Sequence, residues 1–138
     1  MISDFLTNNI ILFAALSVII ALILRMEIKR FMRGFKDITT TEAVRLINKE
    51  DAIILDVRES NELSSGSIRG AKHLALSVLK QRIDELKPHI EKPVIAYCKS
   101  GNRSTAACEI LKQHNFSHVV TLKGGLEGWK TANLPVVK

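Results

Sequence analysis

"VIAYCKSGNRSTAA", residues 94–107, decides how the rest of the chain is read. A run of strand formers ends at Cys98, the small or cationic residues Lys99, Ser100, Gly101, Asn102 and Arg103 follow, and a helical pattern then takes over. Pro93 stands at the first strand position, where its missing N–H does least harm. The stripe Ala106, Ala107, Ile110 and Leu111 predicts a helix over 103–114. In open α/β sheets, sites form at the carboxyl ends of strands, where the amides of the next helix point toward a ligand. A thiolate at Cys98 would feel that helix dipole and the charges of Lys99 and Arg103, so the thiol is expected to be partly ionised and nucleophilic near neutral pH. Gly101 permits a tight turn, and Ser100, Asn102 and Ser104 are short enough to leave the amides open to an anion held on sulfur. The plain alternative is a small buried thiol, which has no need of such neighbours.

Outward from this loop, residues 37–138 alternate between short β-branched runs and helical patterns, the signature of an α/β fold with a parallel sheet. Thr39 and Glu42 form a capping-box pattern ahead of a helix with the apolar face Ala43, Val44, Leu46 and Ile47. "AIILDV" (52–57) reads as a strand buried on both faces. "HLAL" (73–76) is a further candidate strand. Leu79, Ile83 and Leu86, at i, i+4, i+7, predict a helix over 77–87 that ends before Pro88. "HVVTL" (118–122) is the last strand, and "KGGLEGWKTANLP" a Gly-Gly turn with a short helix stopped by Pro135. Four or five strands are expected in all.

The stretch from Phe5 to Leu24 is different in kind: it is 20 residues without a charge. At about 1.5 Å per residue it covers about 30 Å, the thickness of a bilayer's hydrocarbon core. A cleaved signal would place its cations before the apolar run. Here Asp4 precedes it, and Arg25, Lys29, Arg30, Arg33 and Lys36 follow. A membrane anchor is therefore favoured over a signal or a buried core helix, with its N-terminus outside and the rest in the cytoplasm. This divides the chain into a transmembrane anchor (1–25), a basic juxtamembrane linker (26–36) and a folded domain (37–138). The anchor belongs in the inner (cytoplasmic) membrane as a single pass.

The net charge of +6 follows from the same division. Beyond residue 36 there are 15 Lys and Arg against 12 Asp and Glu. Nucleic-acid binding is not needed to explain so small a surplus, and the juxtamembrane cations read as a topology signal that touches anionic headgroups. The two cysteines, Cys98 and Cys108, do not suggest a disulfide framework. Cys108 lies two turns into the helix and reads as a packed thiol rather than a resolving one. His73, His89, His114 and His118 have no metal-ligand spacing, so neither a metal nor an organic cofactor is expected. Ser17 and Ala21 form a small-xxx-small pair, a weak signal for helix pairing.

Four motifs stand in order: "ILDVRESNEL" (54–63), "GSIRGA" (66–71), "CKSGNRS" (98–104) and "LKGGLEGW" (122–129). Together they resemble the rhodanese-like sulfurtransferase family over about residues 37–137. The resemblance implies an α/β domain with a central parallel sheet of about five strands flanked by helices. It also implies that Cys98 accepts a sulfane sulfur from a donor such as thiosulfate, carries it as a persulfide, and passes it to cyanide or a thiol. Residues 99–103 match the cradle for the outer sulfur, with Lys99 and Arg103 attracting the anionic donor. Asp56 and Arg58 match positions for which a structural role is favoured, and Trp129 a late aromatic favoured as a core anchor. The chain departs from the family pattern at Ser67 in "GSI" and at Leu74 and Ala75.

Two rivals are weighed against this reading. Phosphatases of related fold use a loop with five residues between cysteine and arginine; here four separate Cys98 from Arg103, and the shorter cradle favours a single sulfur over phosphate. A membrane-tethered interaction module, docking on a membrane-protein partner, is the alternative from another class.

Overall fold

The computed structural model describes residues 1–138, which form two compact units, Met1–Gly34 and Phe35–Lys138. The first holds two helices, α1 (Ile2–Asn8) and α2 (Ile10–Met32). The apolar stretch is thus broken at Asn9, whose backbone leaves helical geometry (φ −115°, ψ 17°) and whose side-chain amide donates to Phe5 O at 2.8 Å. The 23 residues of α2 reach about 35 Å at about 1.5 Å each, and none is buried against protein. Ser17 Oγ donates to Phe13 O at 2.8 Å, so its hydroxyl is satisfied within the helix itself. Within the basic stretch, residues 26–32 continue α2, and Phe35 already belongs to the core of the second unit.

The second unit is built on a five-stranded parallel sheet: β1 (Lys36–Ile38), β2 (Ile53–Asp56), β4 (Lys72–His73), β5 (Val94–Tyr97) and β6 (Val119–Leu122). Its order is β1-β6-β5-β2-β4, so β5 lies at the centre. A separate antiparallel ribbon joins β3 (Ser67–Ile68) to β7 (Val136–Val137). The helices are α3 (Thr40–Glu50), α4 (Leu79–Arg82), α5 (Asn102–Gln113) and α6 (Gly125–Thr131). The predicted capping box is present at α3: Glu42 N–H donates to Thr39 Oγ1 at 3.2 Å, and Thr39 N–H to Glu42 Oε2 at 2.9 Å. The expected fold class holds, with helices covering both faces of the sheet.

Alternation along β5 divides the core. Val94, Ala96 and Cys98 face one side with Leu55, Leu79, Ile83, Leu86, Ala107 and Leu111. Ile95 and Tyr97 face the other with Ile38, Leu46, Leu122, Leu126 and Trp129. Trp129 is buried, and its indole N–H donates to Pro135 O at 3.0 Å, a core anchor as expected.

The structure departs from the sequence reading in two elements. The helix expected over 77–87 is a 3₁₀ turn (Leu76–Val78), one α turn (α4) and a second 3₁₀ segment (Ile83–His89) that contains Pro88. Pro88 has no N–H to donate and its ring crowds the carbonyl one turn back, so the segment tightens instead of extending as an α-helix. Leu79, Ile83 and Leu86 are nonetheless all buried, as their spacing requires. The strand expected over 73–76 is only Lys72–His73, although Leu74 N–H and Leu76 N–H still reach Asp56 O and Val57 O at 2.9 and 3.1 Å.

Candidate active site

Cys98 follows β5 directly, and α5 begins four residues later, so its thiol sits at the carboxyl end of the central sheet, 1% exposed. The turn depends on Gly101, whose φ of +120° strains any residue with a Cβ although the space around it is open. That conformation aims Gly101 N–H at Cys98 Sγ, 3.1 Å away. Ser104 Oγ donates to Gly101 O at 2.9 Å and lies 3.9 Å from the sulfur. Burial opposes the thiolate, but the amides of Ser104, Gly101, Arg103 and Ser100 outweigh it and hold the thiol pKa below that of an ordinary cysteine. Because the folded-state pKa is the lower one, ionisation of Cys98 favours the folded state above the unfolded pKa, and this contribution is lost as pH falls through the folded pKa. The rate of Cys98 alkylation by iodoacetamide should accordingly reach half its maximum below about pH 8.5, the free-cysteine value; a midpoint at or above it would count against amide stabilisation.

Lys99, Ser100 and Asn102 are exposed, and Gly101 and Arg103 half-buried. Arg103 gives both terminal nitrogens to the Glu62 carboxylate, at 2.5 and 2.8 Å. Lys99 lies 3.8 Å from Glu127. The charges credited with activating Cys98 are therefore each faced by a carboxylate, and the backbone amides carry most of the effect. The Arg103 bonds lower the Glu62 pKa to about 2, so the pair stays ionised throughout the physiological range.

Glu62 itself is placed from the core. Arg58, 1% exposed, gives Nε and Nη2 to Asp56, at 3.0 Å to Oδ1 and 2.7 Å to Oδ2. Its remaining bonds run to Glu62 O, Ser65 Oγ and Gly66 O at 3.2, 3.2 and 2.8 Å. Tyr97 Oη donates to Asp56 Oδ2 at 2.7 Å and accepts from Ile68 N–H at 3.1 Å. Asp56 and Arg58 thus tie the segment carrying Glu62 to β2 and β5, the structural role favoured for them. Glu62 is not singled out by the sequence, although it stands within the motif of residues 54–63, four positions after Arg58.

The Gly-Gly turn before α6 supplies the other restraint. Leu126 N–H and Glu127 N–H donate to Cys98 O and Lys99 O at 2.9 and 3.2 Å. Gly125 has φ +57°, and a Cβ there would run into Cys98 O and come within 2.7 Å of Lys99 O. Gly125→Ala should therefore cost about 1–3 kcal/mol in strain and displace the loop, raising the Cys98 pKa; an alkylation profile identical to the parent's would refute this coupling.

Beside the loop lies a cavity of about 310 Å³ whose wall includes Lys99, Glu62 and Leu126. Cys108 is buried, its Sγ 3.5 Å from Val120 O, and both cysteines are free thiols. No three His, Cys, Asp or Glu side chains converge on a point that would hold a metal ion.

A cysteine at the end of the central strand, ringed by the amides of the next helix, is the arrangement that the four motifs imply, and residues 39–132 match the family described as the Rhodanese-like domain. The chain belongs to this rhodanese-like family. Among its relatives, the uncharacterized protein YibN of Escherichia coli strain K12 is 36% identical over 138 residues, covering 99% of this chain and 96% of YibN. The thiosulfate sulfurtransferase GlpE of Coxiella burnetii is 35% identical over 96 residues, 70% of this chain and 88% of that protein. The crystal structure of a rhodanese-related protein from Thermoplasma volcanium superposes with a TM-score of 0.66 at 32% identity, covering 74% of this chain and 97% of that one. The rhodanese-like domain accounts for the sheet, the Cys98 loop and the Gly-Gly turn; the match to YibN extends over the apolar helix as well.

Proposed function

We propose that this protein is a membrane-anchored sulfurtransferase whose sulfur carrier is Cys98. The observation that carries the reading is the 3.1 Å contact from Gly101 N–H to a buried sulfur whose pKa is lowered by surrounding amides. With thiosulfate as donor, the Cys98 thiolate attacks the sulfane sulfur, a new sulfur–sulfur bond forms, and the bond to the sulfonate sulfur breaks with release of sulfite. The outer sulfur of the persulfide then lies within the cradle of residues 99–103, where amides stabilise its negative charge without side-chain rearrangement. Attack on it by cyanide or a thiol returns Cys98 as thiolate. The balance needs no metal and no redox cofactor.

The test is intact mass of the full chain in detergent after incubation with thiosulfate. A gain of one sulfur atom, lost on adding cyanide, is expected; no gain with any sulfane donor would leave the domain as a docking module.

The anchor in this proposal is α2, none of whose residues is buried in the protein. The cations from Arg25 to Lys36 favour the domain lying in the cytoplasm. Protease added outside intact inner membranes should then leave residues 35–138 whole, and complete digestion of the domain would reverse the orientation.

A further inference from the structure

A groove of about 290 Å³ opens on the core face opposite the one that Cys98 joins. Its floor is Ile54, Ile68 and Trp129, all buried; α3 walls it with Val44 and Ile47, and the chain before β7 with Leu134 and Pro135. These walls are fixed to one another. Trp129 Nε1–H donates to Pro135 O at 3.0 Å, Leu134 N–H donates to Trp129 O at 3.2 Å, and Ile68 pairs with Val136. The groove is therefore preformed, and it is far larger than the voids that close packing leaves in a core.

Of the lining side chains, only Arg69 and Asn48 offer an occupant a hydrogen bond, and both are exposed on the rim. Arg69 pairs with no carboxylate of the protein. A peptide laid over this lining would bury N–H and C=O groups with nothing to receive them. A hydrocarbon chain buries no such group, and a single anionic head would meet the guanidinium in a two-pronged bond. Volume sets the length: at about 30 Å³ for each water-sized group, the groove takes about ten non-hydrogen atoms. A second recess of about 280 Å³ shares Val44 and Leu134 with it, so a slightly longer chain still has apolar wall to cover.

We propose that this groove binds a free fatty acid anion of about eight to twelve carbons, with its carboxylate on Arg69 and its chain over Trp129. The lining contains no residue of the Cys98 loop, so the site stands or falls apart from sulfur transfer.

The test uses the full chain in phosphatidylcholine vesicles and reads Trp129, the only tryptophan, whose burial shields it from quenchers in bulk water. Affinities are referred to the free aqueous concentration of each probe. The soluble acid ω-bromoundecanoate should quench Trp129 saturably. The alcohol ω-bromoundecanol, with the same chain and no charge, should bind about tenfold more weakly, the effect of one charge-assisted hydrogen bond. Arg69→Gln should bring the acid down to the alcohol's affinity and leave the alcohol's unchanged, a pattern that a folding defect does not produce. Val44→Phe, which fills the junction of the two recesses, should abolish quenching by both. Decanoate should displace the bromo acid at about sixteenfold lower concentration than octanoate, for two more buried methylenes at about fourfold each. Absence of saturable quenching, or equal affinities for acid and alcohol that Arg69→Gln leaves unmoved, would overturn the site. Quenching by chain-brominated phosphatidylcholine without added acid would give the groove to a bilayer lipid. Quenching by the acid that weakens as the protein is packed more densely in the vesicles would give it to a second copy of the chain. Either result overturns the free fatty acid.

Discussion

Cys98→Ser should abolish sulfur loading and lower sulfur transfer at least about a thousandfold, the scale of loss when a covalent nucleophile is removed. The reason is chemical rather than steric. Serine is close to cysteine in size, and the loop is held by Leu126 and Glu127 N–H bonds to Cys98 O and Lys99 O, which do not involve the sulfur atom. A serine hydroxyl, however, stays protonated at neutral pH and forms no persulfide. Sulfur gain, followed by mass with thiosulfate and with organic persulfides, should vanish in the variant while the thermal unfolding of the domain stays close to the parent's. Transfer that persists in Cys98→Ser would move the chemistry elsewhere, with Cys108 the remaining thiol.

Asp56→Ala should be the most destabilising single change in the domain. Asp56 is 1% exposed, and Arg58, its partner at 2.7 Å, is equally buried. Removing the carboxylate leaves a guanidinium in the core without its counter-charge, which costs about 3–5 kcal/mol, against about 5–15 kcal/mol for the whole stability of a domain. At about 4–8 °C per kcal/mol for a domain of this size, Tm should fall by at least about 12 °C. Trp129 is the only tryptophan and is buried in this unit, so its fluorescence reports unfolding without interference from α2. Replacing both partners by apolar residues of similar shape, Asp56→Leu with Arg58→Met, should restore much of the loss. A Tm change of only a few degrees for Asp56→Ala would mean that water reaches Arg58 and that the network does not hold Glu62. The same variant should weaken the Arg103 clamp, since the segment bearing Glu62 hangs on Arg58 through Glu62 O, Ser65 and Gly66.

Much of this architecture was legible in the chain because it is encoded locally. The runs at 52–57 and 94–97 are buried on both faces and show as unbroken apolar stretches, and the capping residues of α3 lie within one turn of each other. The strands that escaped the reading, β1, β3 and β7, are two or three residues long and owe their pairing to partners far along the chain. The 3₁₀ segments around α4 escaped for another reason: the i, i+4, i+7 spacing reports which face is buried, and it is equally satisfied by a helix that tightens around Pro88.

Cys98, Gly101 and the short polar side chains of the loop were identifiable because their arrangement is contiguous, as the apolar length of α2 and the cations after it were. What activates the thiol was decided by tertiary structure. In the sequence Arg103 reads as a free charge; the adjacency of β2 and β5 brings it to Glu62, 41 residues away along the chain. In the sequence Gly125 reads as a turn residue; in the fold its missing side chain makes room for Cys98 O. Local sequence specifies which residues can form a strand, a cap or a tight turn, since those choices are settled by neighbours a few bonds away. It does not specify which charges meet across a sheet, because that depends on strand order, which is settled by how the two faces of the core are buried.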